Sequence, residues 1–203
     1  MSLTVNANPT SSISPIPEGT YLGVCNMLVD LGVQYNETYK TSSRKVLVGW
    51  EIPEETITID GEQKPRTLSK RYTASLDERA TLRQDLAAWR GRDFTQEELA
   101  AFDLRNIVGA SCLINVIHKE SNGKTYANIS SIMALPKGMK KGTLAEPAIV
   151  FDLDTDDLSA IDNLPNWIGE IVKKSQTYEE KMAAPAAIEE FVEELEDEGG
   201  LPF

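Results

Sequence analysis

The chain has 203 residues, of which 41% are hydrophobic and 26% charged, and its formal net charge is -12. This length is sufficient for one sizeable core with appendages, so we expect a single folded domain. No apolar run approaches the roughly 20 residues that a membrane-spanning helix needs, and the Ser- and Pro-rich start lacks the basic and apolar regions of a secretion signal. The composition therefore argues against a membrane protein and predicts a cytoplasmic one.

The negative charge is distributed unevenly along the chain. Residues 146–203 contain 3 Lys or Arg against 16 Asp or Glu, whereas residues 1–145 contain 17 against 16. Phosphate binding depends on local cation contacts rather than on the net charge of the protein. The nearly neutral body can therefore carry a basic groove, and the overall charge does not exclude nucleic-acid binding.

The first half of the chain has the pattern of three strands. Residues 19–35 are mostly apolar with two interrupting glycines, which predicts a long, bent first strand of the kind that a small closed barrel needs. A second strand over 44–52 has an apolar face formed by Val46, Val48, Trp50 and Ile52. Asp60-Gly61 then predicts a hairpin into a third strand over 67–73.

Two helices and two strands are predicted next. Ser75 with Glu78, and Thr95 with Glu98, have the capping-box spacing, and an apolar stripe follows each pair at helical intervals. Asn122-Gly123 between alternating segments predicts a β-hairpin of strands four and five. Three strands, a helical insertion and two strands is the order of the OB-fold barrel, although an SH3-like barrel or a small sandwich would also suit five strands.

We therefore predict a mainly β protein with helical insertions. Its centre is a five-stranded OB-fold barrel with helices between strands three and four, followed by a C-terminal helix and a disordered acidic tail. The expected boundaries are a disordered N-terminus over 1–17, an OB-fold DNA-binding domain with a C-terminal helical extension over 18–180, and a linker with an acidic protein-interaction tail over 181–203.

Cations and tyrosines near the strands form the candidate DNA-binding surface. In sequence-tolerant grooves Lys and Arg contact phosphates, while bases stack on aromatic rings at about 1 to 3 kcal/mol each. Alternation along strand three places Lys70 and Tyr72 on one face and Arg71 on the other. The candidates, which we expect to converge on one barrel face, are Tyr35, Tyr39, Arg44, Lys45, Lys64, Arg66, Lys70, Tyr72, Lys124 and Tyr126.

Catalytic and metal-binding motifs have little support. His118 lacks a Ser or Cys nucleophile motif, and the chain has no phosphate-binding or dinucleotide fingerprint. The acids from Asp152 resemble the start of a calcium loop, but Asp157 and Asn163 occupy the positions that require Gly and Glu. Two buried free thiols are expected at Cys25 and Cys112. We predict a protein that is not an enzyme, without cofactor or metal; a metal-dependent nuclease using the acids near Asp152 is a weaker alternative.

The C-terminal tip suggests a family. It consists of the acids Glu196, Asp197 and Glu198 and the apolar end Leu201, Pro202 and Phe203. This end resembles the acidic tail of bacterial and phage single-stranded DNA-binding proteins, with Gly199-Gly200 in place of the last acids. The body over 19–136 is similar to phage-encoded OB-fold members of that family at Trp89-Arg90-Gly91-Arg92 and Ala134-Leu135-Pro136-Lys137-Gly138.

The resemblance implies sequence-tolerant binding and protection of single-stranded DNA in phage replication or recombination, in the bacterial host cytoplasm. It further implies that the tail recruits replication or recombination proteins. The short Ala/Pro linker and the added helix depart from the bacterial pattern, so a tetramer is not implied. The alternative is an OB-like protein-interaction adaptor that binds no nucleic acid.

Overall fold

The structure is a computed structural model that describes residues 14–184. It is mainly β, as predicted. Its six strands are β1 (Gly19–Asn36), β2 (Thr41–Ile59), β3 (Glu62–Thr73), β4 (Ser111–Ser121), β5 (Lys124–Met133) and β6 (Ile149–Phe151). The helices are α1 (Thr81–Arg90), α2 (Gln96–Ala100) and α3 (Asn166–Lys173), with short 3-10 helices at Leu104–Ile107 and Leu158–Asn163 and a further helix over 176–184. Within 14–184, no helix combines the length and apolarity that crossing a membrane would demand.

The strands form one sheet in the order β3-β2-β1-β4-β5 with antiparallel neighbours, and β6 adds to β1 in parallel. β1 is long because it pairs with β4 along its first third and with β2 along the remainder. Bulges between Cys25 and Met27 and between Asp30 and Gly32 bend it. No ladder joins β3 to β5 in the described part of the chain, so the sheet is open where a closed barrel was predicted.

The sheet has a core on each side. The inner face, which we define as the side that packs on α1, contributes the core residues Cys25, Leu28, Val48, Trp50, Cys112, Ile114 and Val116. The opposite, outer face contributes Met27, Val29, Leu31 and Leu47, which α3 and the segment after β6 cover. β1 is therefore buried on both sides between Met27 and Leu31, which explains why every residue of this stretch except Asp30 is apolar.

Residues 14–16 pack against the sheet, although they lie in the segment predicted to be disordered. Ile16 lies in the inner core with 1% of its surface exposed. Arg66 donates to the carbonyl of Ser14 (2.6 Å), and His118 Nε2 lies 2.8 Å from the carbonyl of Ile16. Because a carbonyl only accepts, Nε2 carries the proton of this imidazole. Residues 14–16 thus connect β3 with β4 and belong to the domain.

One local prediction near the helices was wrong. α1 begins at Thr81 after Ala80, which provides no side-chain cap, and Ser75 instead forms a turn in which its Oγ accepts from the amide of Asp77 (3.1 Å). On α3, Trp167 is 49% exposed, whereas its neighbour Ile168 is buried. The capping box of Thr95 and Glu98 is present at α2 as predicted.

Candidate nucleic-acid interface

The hairpin of β4 and β5 presents cations and a phenol together. Asn122 and Gly123 have φ values of 51° and 71°, so two left-handed residues close the turn. The ladder then places Lys119 directly opposite Tyr126. Because opposed and alternate residues share a face, Lys119, Lys124 and Tyr126 project from the same face of the hairpin. We call these three residues the basic hairpin face.

The basic hairpin face is open to solvent. Both lysines are exposed, and 48% of Tyr126 is accessible. Neither Lys119 nor Lys124 forms an ion pair with a carboxylate of residues 14–184. The one acid nearby in sequence, Glu120, faces the other way because it alternates with Lys119. This arrangement offers two ammonium groups for phosphates and one ring for a base.

Lys124 and Tyr126 were predicted from the sequence, whereas Lys119 was not. The missing residue could have been found from the turn alone. In a two-residue hairpin, pairing counts outward symmetrically from Asn122-Gly123, which places residue 119 opposite residue 126.

Of the candidates at the end of the β1–β2 hairpin, three have no acidic partner in the described chain and one is paired with carboxylates. Tyr35 and Tyr39 are exposed, with Tyr39 at 75%, and Lys45 donates to Thr73 Oγ1 at 2.7 Å. Arg44 instead forms ion pairs with Asp30 and, at 2.6 Å, with Asp154. Hydrogen bonding to Asp30 raises the pKa of Arg44 above its already high ordinary value. Arg44 was predicted to bind a phosphate. Because two carboxylates occupy its guanidinium, it is not available to one.

The third strand presents a different face from the one predicted. Tyr72 is 3% exposed within the inner core, and its hydroxyl donates to Asp85 on α1 at 2.8 Å. Burial, reinforced by Asp85, raises the Tyr72 pKa. Lys70 Nζ forms an ion pair with the same carboxylate at 2.6 Å, so Asp85 occupies the ammonium group of Lys70. The buried ring of Tyr72 cannot stack on a base. Arg71, which was set aside, is the exposed cation of this strand.

The remaining two candidates on β3 also have partners. Lys64 forms an ion pair with Glu146 at 2.8 Å, and hydrogen bonding to that carboxylate raises the pKa of Lys64. Arg66 is engaged by the carbonyl of Ser14. Both residues therefore hold other parts of the chain against β3.

The structure does not bring the ten candidates onto one face. Tyr35 and Tyr39 lie at the end of β1 that leads into β2, whereas Lys124 and Tyr126 lie beyond the opposite end, where β4 pairs with residues 19–24. The exposed candidates are Tyr35, Tyr39, Lys124 and Tyr126, and the half-buried Lys45 also has no acidic partner in 14–184. The strongest local cluster is the basic hairpin face.

A cluster of acids lies beside a cleft of about 300 Å³. Carboxylate oxygens of Asp30, Asp152 and Asp154 approach within 4.8 Å of one another. Arg44 pairs with two of them, and Arg105 pairs with Asp152 at 2.6 Å. Guanidinium groups thus supply the positive charge that these acids require, and we assign no metal to them.

Both cysteines are buried free thiols, as predicted. Burial raises the pKa of Cys25 to about 12, so this thiol is protonated and unreactive at neutral pH. The predicted tail residues, Glu196 to Glu198 and Leu201 to Phe203, lie outside the described part of the chain. Comparison with protein-family models and with curated proteins gives no match for this sequence.

Proposed function

We propose that this protein binds single-stranded DNA with little sequence preference and protects it during phage replication or recombination. The observation that carries the proposal is the basic hairpin face. Its lysines have no acidic partner among residues 14–184, whereas Arg44, Lys64 and Lys70 are each paired with a carboxylate. Unpaired ammonium groups that contact phosphates displace the counterions of the DNA. An exposed ring can stack on any base.

The strand arrangement supports an OB-type barrel as the scaffold. Following the antiparallel ladders from β1 outward makes β3 and β5 parallel to each other at the two ends of the sheet order. These are the strands whose pairing would close the barrel. Residues 14–16, which bind Arg66 on β3 and His118 on β4, support this curvature by holding the two sides of the sheet together.

Replacing the basic hairpin face tests the function. The variant Lys119→Gln, Lys124→Gln, Tyr126→Ala is expected to bind labelled oligo-dT at least about tenfold more weakly, since loss of one stacked ring alone costs about 1 to 3 kcal/mol. The slope of log K against log salt concentration should become shallower by about 0.7 for each phosphate contact that is lost. Fluorescence anisotropy at several salt concentrations measures both quantities.

The matched control is Lys173→Gln, Lys174→Gln at the C-terminal end of α3, which removes the same charge elsewhere and should leave binding unchanged. Failure of the unaltered protein to bind oligo-dT at low salt would contradict the proposal. That result would favour the protein-interaction adaptor.

We further propose that the acidic tail recruits replication or recombination proteins and competes with DNA. Residues 185–203 contain seven acids and no base, and tethering gives such a segment a high effective concentration at the DNA-binding surface. Deleting residues 188–203 should therefore tighten oligo-dT binding, most clearly at low salt. A second variant keeps Leu201-Pro202-Phe203 but has the seven acids of the tail replaced by the corresponding amides. It separates the effect of the tail's charge from the effect of its apolar tip. Unchanged affinity after deletion would refute the competition.

A further inference from the structure

The outer faces of β4 and β5 form a track without acids, and this inference rests on the proposed DNA binding. Cys112, Ile114 and Val116 are buried in the inner core, so the alternate residues of β4 face outward. From Ser111 to Lys119 these are Ser, Leu, Asn, Ile and Lys, and the residues opposite them on β5 include Met133, Ser131, Asn128 and Tyr126. None of these outward side chains is acidic. We call this surface the outer track.

Hydrogen bonds fix the middle of the outer track. Thr20 Oγ1 on β1 donates to Asn115 Oδ1 at 3.3 Å, and Asn115 Nδ2 donates to Ser130 Oγ at 2.7 Å. These neutral groups satisfy one another, and Met133 adds a partly exposed apolar side chain beside them. The surface between the two ends of the track therefore does not repel a phosphate backbone, and it offers apolar area to bases.

A second group of cations lies at the other end of the outer track. Lys137, Lys140 and Lys141 are exposed and form no ion pair within the described chain. The amide of Met139 donates to the carbonyl of Pro136 (3.0 Å), and Gly138 has a φ of 89°, so this loop is a defined turn. We call residues 137–141 the basic loop.

Gly142 anchors the basic loop to the sheet. Its amide donates to Ser111 Oγ at 3.0 Å, at the start of the outer track. A Cβ at this position would lie 2.4 Å from Val24 Cγ2, so the backbone approaches the sheet too closely for any side chain. Lys141 directly precedes Gly142 and is therefore held next to Ser111.

We propose that single-stranded DNA runs along the outer track from the basic hairpin face to the basic loop, which makes Lys137, Lys140 and Lys141 a second phosphate-binding site. The eight residue steps from Ser111 to Lys119 span about 26 Å at about 3.3 Å each. That distance accommodates roughly eight nucleotides at a stacked rise of about 3.4 Å.

The outer face of β2 is less suited to the strand. Leu47 is buried beneath the α3 layer. Glu51 is buried too, and its carboxylate accepts from the amide of Ala145 at 3.1 Å. The chain itself thus covers much of that face and places an acid on it, whereas the outer track is open between its two groups of lysines.

Oligonucleotide length provides the test. Anisotropy titrations with dT4 and dT12 compare the unaltered protein with Lys137→Gln, Lys140→Gln, Lys141→Gln. A dT12 strand reaches both sites, so the triple variant should bind it at least about tenfold more weakly at low salt, with a salt slope reduced by about 2. A dT4 strand bound at the hairpin does not reach the loop, so its affinity should change less than twofold.

The control variant Lys173→Gln, Lys174→Gln, Lys181→Gln changes the net charge equally in the C-terminal helices and should bind dT12 normally. If the basic-loop variant also binds dT12 normally while the unaltered protein binds it well, the path is wrong and the proposed function stands. If Arg71→Gln lowers the affinity for dT12 more than the basic-loop variant does, the DNA would instead run over β2 and β3. Absence of dT12 binding by the unaltered protein would overturn both proposals.

Discussion

Asp85→Ala is expected to destabilise the protein by about 3 kcal/mol. The Asp85 carboxylate accepts from both Lys70 Nζ (2.6 Å) and the Tyr72 hydroxyl (2.8 Å), and only 17% of its side chain is exposed. Its removal leaves a largely buried ammonium without a counterion, and breaking such a pair costs about 3 to 5 kcal/mol. The lower end applies because Lys70 retains 23% exposure. Urea unfolding followed by tryptophan fluorescence measures the change.

An exposed ion pair supplies the matched control for Asp85. Asp162 pairs with Lys173 at 3.0 Å, but 74% of the acid and 48% of the lysine are exposed. Asp162→Ala should therefore cost less than about 1 kcal/mol. Adding Lys70→Met to Asp85→Ala should recover part of the loss because no charge then remains buried. Equal costs for Asp85→Ala and Asp162→Ala would contradict the role given to Asp85.

Gly32→Ala is expected to cost about 2 to 5 kcal/mol. Gly32 has a φ of 70°, in the left-handed region, where a side chain costs about 1 to 2 kcal/mol. An added Cβ would also lie 2.6 Å from Ser175 Oγ and 2.8 Å from Leu153 Cδ2. Overpacking of this kind costs about 1 to 3 kcal/mol more. Thermal or urea unfolding reports the total.

Gly61 separates the two contributions. It has a φ of 85°, but nothing lies within 4 Å of a Cβ built there. Gly61→Ala should therefore show the backbone cost alone, about 1 to 2 kcal/mol. If both alanine variants are destabilised equally, the close approach of Gly32 to Ser175 has no energetic weight.

Local patterns predicted much of the fold. The alternation of Val46, Val48 and Trp50 identified the inner face of β2, and Asn122-Gly123 identified the hairpin of β4 and β5. Both signals are complete within a few residues. β6 was missed because its apolar residues are a short run between acids. Ile149 and Phe151 join a core only against the second side of β1.

The candidate site was harder to predict because partners come from distant sequence. Alternation correctly separated Lys70 and Tyr72 from Arg71, but it does not show which side α1 covers. Asp85 from α1 and Asp154 from the segment after β6 engage Lys70 and Arg44, and no local pattern indicates those contacts. The hairpin candidates Lys124 and Tyr126 remained exposed because their environment is set by the turn beside them.

The double burial of β1 couples the stability of the whole domain. Met27, Val29 and Leu31 pack on one side of the strand while Cys25 and Leu28 pack on the other. Neither layer can separate from the sheet without removing half of the environment of this strand. Heating should therefore disrupt both layers in a single cooperative transition. A ligand that binds only to β4 and β5 would also stabilise the helices on the far side of the sheet against opening.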